Sequence, residues 1–175
     1  MELLEQFVHG NLEAFETLFR QFQREVYGWI LRIVRDPAAA EDLTVETFWR
    51  IYRSHGRFDP AQSFGAWARR IATNAALDHL RKMRTLRADV ALPDGLSLGT
   101  PPDPALQREV REQVARCFRQ LPVKLQVAAT LALVEERPYE EIAAALGISP
   151  GAVKLRVFRA VRRLRKSLAL AGVQA

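Results

Sequence analysis

Between Lys154 and Lys166 the chain carries Lys154, Arg156, Arg159, Arg162, Arg163, Arg165 and Lys166 with no acid among them. A cationic run of this kind can do one thing well, which is to neutralise a polyanion. Its spacing gives it a direction. At about 100° per residue, Val153, Val157, Val161, Leu164 and Leu168 form one apolar stripe. Leu155, Arg159, Arg162 and Lys166 lie opposite, and Lys154, Arg156, Arg163 and Arg165 flank them. A merely solvated helix mixes charge signs for i,i+4 pairing, and this one does not. The pattern therefore predicts a DNA-facing helix.

The residues before it supply what positions such a helix. Arg137 onward reads Arg-Pro-Tyr-Glu-Glu-Ile-Ala-Ala-Ala-Leu-Gly-Ile-Ser-Pro-Gly-Ala-Val. Ala143 leaves room for a close helix crossing, and Gly147 permits the positive φ that ends a first helix. Ser149 suits an N-cap, Pro150 a first turn, and Val153 faces inward. Helix, tight turn and basic second helix together make a helix-turn-helix, whose second helix enters the major groove.

The remaining composition is consistent with this and offers little else. A net charge of +6 favours a polyanionic partner, and 49% hydrophobic residues suffice for real cores. The single Cys117 falls at helical spacing with Val110, Val114 and Leu121, which predicts a buried thiol in a reducing compartment. His9, His55 and His79 are scattered, and there is no Gly-rich phosphate loop, HExxH or paired-cysteine site. No catalytic residue, metal or cofactor is expected. Met1–Asn11 lacks the apolar core of a signal peptide and no apolar run reaches transmembrane length, so a soluble, cytoplasmic protein without membrane insertion is expected.

Two helical blocks carry the chain. Phe15, Leu18, Phe19, Phe22, Val26, Ile30 and Ile33 recur at helical spacing from about Leu12 to Val34. Asp36 and Pro37 then open a second helix that runs to about Tyr52. A polar loop covers Arg53–Ser63, and a third helix runs from about Phe64 to Arg84. On it Arg70, Asn74, Asp78 and Arg81 share an edge, while Phe48, Trp49 and Trp67 are expected in the core. Between the blocks, Pro93, Gly95, Gly99, Pro101, Pro102 and Pro104 mark a linker. The expected fold is all-α: two small helical domains, 1–84 and 106–175, joined by a flexible Pro/Gly-rich linker over 85–105. Weak coupling of the halves in the free protein is expected, the alternative being that they fold against each other and hide the basic helix.

Two motifs in this order resemble a known family. D-P-A-A-A-E-D-L-T-V-E-T-F-W-R-I-Y-R from Asp36 and F-G-A-W-A-R-R-I-A-T-N-A-A-L-D-H-L-R-K from Phe64 are similar to region 2 of the extracytoplasmic-function (ECF) sigma factors of the sigma-70 family. The Leu121-Pro122 pair and the Y-E-E-I-A…L-G-I-S-P-G-A-V-K helix-turn-helix resemble region 4. The resemblance covers about residues 12–84 and 106–168. It implies a factor that binds core RNA polymerase and directs promoter-specific initiation, with region 2 opening the minus-10 element and region 4 reading the minus-35 element. It implies clamp contacts from Asp42, Val45 and Glu46, and minus-10 contacts from Arg57, Gln62, Ser63, Arg70, Asn74 and Arg81. On the minus-35 side it implies Lys154, Leu155, Arg156, Arg159, Arg162, Arg163 and Lys166. The implied partners are core polymerase, through its clamp and flap, and promoter DNA. An anti-sigma factor is common in the family, though nothing in the chain encodes one.

Three positions depart from the family pattern. Val45 stands where Gln is usual, Ala152 where Thr is usual, and Leu155 where Ser is usual. Ala152 removes a hydroxyl from the helix N-terminus, and Leu155 offers a methyl-rich surface to thymine rather than a polar edge. A minus-35 preference unlike that of a typical member follows. The rival readings are an autonomous helix-turn-helix regulator binding an operator as a dimer, and a sigma-like relic that binds polymerase without directing it. The first leaves the acidic second helix unexplained.

Overall fold

A computed structural model of the chain describes residues 2–86 and 104–170. Helix follows helix, with no strand among the described residues. The N-terminal half comprises α1 (Leu3–Val8), α2 (Leu12–Val34), α3 (Pro37–Arg53) and α4 (Phe64–Leu86). Its boundaries are set by side chains that satisfy orphan backbone groups. Asn11 Oδ1 accepts from Ala14 N at 2.9 Å and Asp36 Oδ1 from Ala39 N at 3.2 Å, with Pro37 in the first turn of α3. Ser63 Oγ accepts from Ala66 N at 3.3 Å to open α4.

The three long helices pack as a bundle around Val26, Trp29, Ile30, Phe48 and Ile51, all buried. α4 contributes Ala68, Ala72, Ala75 and Ala76 to that core, small residues that let it approach α2 and α3 closely. One buried polar contact fixes the register: Trp29 Nε1–H donates to Thr73 Oγ1 at 2.8 Å, and the Thr73 hydroxyl donates to Arg69 O at 2.7 Å. The indole thereby buries its apolar body without losing its hydrogen bond.

Sequence reasoning missed α1. Its Phe7 is fully buried and sits edge-on or stacked against Phe15, His55, Phe58, Phe64 and Trp67. Six residues are too few to show a period; a Glu2–Glu5 capping box opens the helix and this packing holds it. Phe48 is buried and Trp67 half-buried, as expected. Trp49 is not in the core: it is 58% exposed and lies along Tyr52, ring centroids 6.2 Å apart. The buried side of α3 is already filled by Leu43, Thr44, Thr47, Phe48 and Ile51, which leaves Trp49 outside.

The C-terminal half comprises α5 (Pro104–Arg119), α6 (Val123–Ala129), a π-helical turn over Thr130–Val134, α7 (Tyr139–Leu146) and α8 (Pro150–Leu170). Cys117 is buried, as its spacing predicts. The linker expected over 85–105 falls mostly outside the described residues, although α4 runs to Leu86 and α5 begins at Pro104.

Of the two arrangements expected, the structure shows the halves packed against each other, but with the basic face of α8 exposed rather than hidden. α4 packs on α6 and α7, and one buried apolar cluster runs through both halves. Arg69 Nη1 meets Glu141 Oε1 at 2.7 Å, and Glu135 takes Arg35 at 2.8 Å and Arg32 at 3.4 Å. Arg84 donates to the carbonyls of Leu121, at 2.8 Å, and Gln120, at 3.3 Å. The sequence pattern of each helix reports its apolar side but not which domain covers it.

Candidate nucleic-acid and polymerase interfaces

The turn between α7 and α8 is built as its sequence requires. Gly147 has φ +64°, Ile148 N donates to Ala143 O at 3.0 Å and Gly147 N to Ala144 O at 3.4 Å. Those two bonds are a Schellman motif, which satisfies the last carbonyls of α7. Ser149 Oγ then accepts from Ala152 N at 3.2 Å and caps α8. Ala143, Val153, Val157 and Ala160 are buried where the two helices meet the rest of the domain.

That packing fixes the roll of α8. Lys154, Leu155, Arg159, Arg162, Arg163 and Lys166 are exposed, and Arg156 is half-buried. No ion pair ties any of these cations to an acid among the described residues. The result is a cationic face whose charges are free to meet phosphates. Sequence reasoning missed Phe158, which is 62% exposed beside Leu155, itself 47% exposed. Its signal was present in the face arithmetic, since Phe158 lies about 140° from Val153 around the helix.

On the N-terminal half, Arg57, Gln62 and Ser63 are exposed in the connection from α3 to α4. A short 3₁₀ turn over His55–Arg57 and the buried Phe58 shape that connection. His55 Nδ1 lies 2.9 Å from Val8 O, so α1 braces the turn from behind. Asp59 holds the next turn, accepting from Ala61 N at 3.0 Å, and Gln62 Nε2 lies 3.4 Å from Asp59 Oδ2. Ser63 Oγ also caps α4, with its O–H left to donate. Arg70, Asn74 and Arg81 follow at i+7, i+11 and i+18 from Ser63, all exposed and on one side of α4. They are not equally available. Arg81 is paired with Asp78 at 3.0 Å, and the Arg70 guanidinium lies so close to Gly147 that a Cβ there would sit 3.1 Å from it.

Asp42, Val45 and Glu46 are all exposed on α3, Val45 at 68%, and Trp49 extends their row by one turn. An acidic and apolar strip thus stands clear of the bundle. Glu46 Oε1 accepts from Arg50 Nη2 at 2.6 Å, and Arg50 Nη1 reaches Asp78 Oδ2 at 3.3 Å. Burial works against the Arg50 charge, but hydrogen bonding to Glu46, its charge and Asp78 outweigh that, and the pKa lies above the ordinary arginine value. Arg50 therefore stays charged and links the acidic strip of α3 to the polar edge of α4. No group of His, Cys, Asp or Glu among the described residues could hold a metal ion, and no helix among them is long and apolar enough to cross a membrane.

Comparison with known proteins agrees with this geometry. Residues 18–85 match the family model for sigma-70 region 2, and residues 111–164 match that for sigma-70 region 4. The chain is 39% identical over 170 residues to the RNA polymerase sigma factor CarQ of Myxococcus xanthus, covering 94% of this chain and 95% of that one. It is 34% identical over 173 residues to the ECF RNA polymerase sigma factor BldN of Streptomyces coelicolor, covering 96% of this chain and 65% of that one. Among solved structures, CnrH in complex with the cytosolic domain of CnrY superposes with a TM-score of 0.57 over 99% of this chain and 97% of that one. At 23% identity that likeness concerns the fold alone. Two regions in the family's order, on a chain whose own length is matched nearly end to end, leave one assignment: this protein belongs to the sigma-70 family, as an ECF sigma factor of RNA polymerase.

Proposed function

We propose that this sigma factor divides its work among three surfaces. The exposed strip Asp42, Val45, Glu46 and Trp49 of α3 seats the polymerase clamp. The connection with Arg57, Gln62 and Ser63, continued by Arg70, Asn74 and Arg81, captures the opened minus-10 strand. The face of α8 with Lys154, Leu155, Arg156, Phe158, Arg159, Arg162, Arg163 and Lys166 reads the minus-35 duplex. The observation that carries this reading is the pairing, in one chain, of an acid-free cationic helix face with an exposed acidic and apolar strip on a separate bundle. The first suits phosphate, and the second suits a protein.

Energetics support dependence on polymerase. Opening about ten base-pair steps costs on the order of 14 kcal/mol at roughly 1.4 kcal/mol each. Capturing a flipped base returns only part of that, because unstacking itself costs a few kcal/mol. A small bundle cannot supply the balance, whereas a polymerase that bends and clamps the duplex can. The reading includes no catalysis by this chain and places it in the cytoplasm, where polymerase and promoters are. It also admits a regulatory protein partner, an anti-sigma factor, as a further ligand.

Run-off transcription with core polymerase, on promoters from the protein's own gene neighbourhood, tests the whole. The expected outcome is a defined transcript that requires both core and this factor. Tight binding of a palindromic operator by a homodimer, with no transcript, would overturn it in favour of an autonomous regulator.

A further inference from the structure

Four alternating charges run without a gap from the exposed strip of α3 to the polar edge of α4. Glu46 Oε1 accepts from Arg50 Nη2 at 2.6 Å and from Arg50 Nε at 3.1 Å. The same guanidinium reaches Asp78 Oδ2 through Nη1 at 3.3 Å, and Asp78 Oδ1 accepts from Arg81 Nη1 at 3.0 Å. The two ends of this row face different ligands in the reading above, Glu46 the polymerase and Arg81 the minus-10 strand. Its middle members, Arg50 and Asp78, belong to neither surface. The bonds are also unequal. Arg50 gives two N–H groups to Glu46 and one, at longer range, to Asp78, so two guanidiniums compete for the Asp78 carboxylate. Every member is partly exposed, and pairs that water reaches are weak enough to exchange partners. Arg81 itself is open to solvent; what limits it is the carboxylate it already holds.

We propose that Arg50 and Asp78 are positioning residues that couple the two ligands of the N-terminal half: a cation that takes Glu46 turns Arg50 onto Asp78, which releases Arg81 to a phosphate of the single strand. The identity of the two ligands rests on the reading of α3 and α4 given above; the ionic link between them does not. Its direction follows from charge. A cation at Glu46 removes the nearer acceptor of Arg50 and repels the guanidinium toward Asp78. Asp78, more fully engaged by Arg50, then holds Arg81 less. The coupling is reciprocal, so a phosphate on Arg81 leaves Asp78 to Arg50 and frees Glu46 for its partner by the same factor. Because each link is a solvent-reached pair, that factor is a few-fold rather than a switch.

The test uses the full chain, with Glu46→Gln standing in for a Glu46 already taken. Glu41→Gln makes the same charge change at an exposed position of α3 outside the row, and serves as the control. The side-chain Nε–H signal of Arg81 in nitrogen-15 NMR is assigned by its loss in Arg81→Lys. It should move in Glu46→Gln toward its place in Asp78→Asn, move the opposite way in Arg50→Gln, and stay put in Glu41→Gln. General loosening of the helix pair would instead move it one way in both Glu46→Gln and Arg50→Gln. Binding of a labelled twelve-nucleotide single strand of random sequence is then read by anisotropy in each variant, with and without Arg81→Ala, so that binding at α8 cancels. Glu46→Gln should gain roughly three-fold over Glu41→Gln, and only where Arg81 is present. Its salt slope should steepen by up to about 0.7, the value for one phosphate on a single strand. Asp78→Asn should show a like gain in the free chain and lose it in the holoenzyme, where the clamp already holds Glu46. An Arg81 signal indifferent to Glu46, or shifts of one sign in both variants, would overturn the ionic link. A shift without any Arg81-dependent gain in strand binding would uphold the link and sink the minus-10 role of Arg81. A gain that persists undiminished in the holoenzyme would remove polymerase from the coupling and count against α3 as the clamp surface.

Discussion

Arg159 and Leu155 share the exposed face of α8 but offer a duplex different things, a charge and an apolar surface. A cation on a phosphate contributes about −0.9 to the slope of log affinity against log salt. Arg159→Ala should therefore weaken minus-35 binding and flatten that slope by roughly one unit, read by fluorescence anisotropy across a salt series. Leu155 carries no charge and stands at the centre of the face. Leu155→Ser should change which minus-35 bases are preferred while leaving non-specific affinity nearly intact, as a base-by-base promoter series would show. The exposure of these two residues was legible because face arithmetic on a strongly patterned helix is reliable. Trp49 was not read correctly: aromatic residues at helical spacing are usually interior, and that presumption outweighed its position one turn beyond the exposed Val45. Ser63 has a second use that its place beside Gln62 does not announce: its Oγ accepts the Ala66 amide and caps α4, leaving the O–H to donate.

The elements that carry these residues are positioned by a few contacts that local sequence does not announce. α1 is the clearest case, since its single buried ring holds the connection between α3 and α4 from behind. Phe7→Ala should cost about 3–5 kcal/mol, in the range of buried aromatic truncations, and should raise hydrogen exchange first in residues 54–63. Chemical denaturation and exchange mass spectrometry would measure both. By contrast, the α7–α8 turn could be read residue by residue, because glycine, serine and proline each have one physical use at their positions. Gly147→Ala tests that reading. Its φ of +64° disfavours a Cβ, and the new atom would crowd Arg70. The substitution should cost more than about 1 kcal/mol and lower the Tm by at least about 2 °C.

For the whole molecule, the fold class and the order of the two regions followed from periodicity and turn chemistry, but the mutual packing of the halves did not. It depends on ion pairs between residues roughly a hundred apart in sequence, such as Arg35 with Glu135, for which no local pattern exists. The polymerase surface belongs to this scale because it functions only in an assembly. Asp42→Lys with Glu46→Lys should abolish co-purification with core polymerase while the monomer keeps its helix content, since both side chains are exposed and only Glu46 has an internal partner to lose. Normal holoenzyme assembly by that double variant would remove α3 as the clamp contact. The acid-free character of α8 has one more consequence. No acid follows Glu141, and the seven cations of α8 account for the whole net charge of +6, leaving the rest of the chain close to neutral. The molecule is therefore a strong electric dipole with its positive pole at one helix. In the field of a DNA duplex it should arrive already rotated, α8 foremost, so that random encounters become aligned ones and the search proceeds along the duplex rather than through solution.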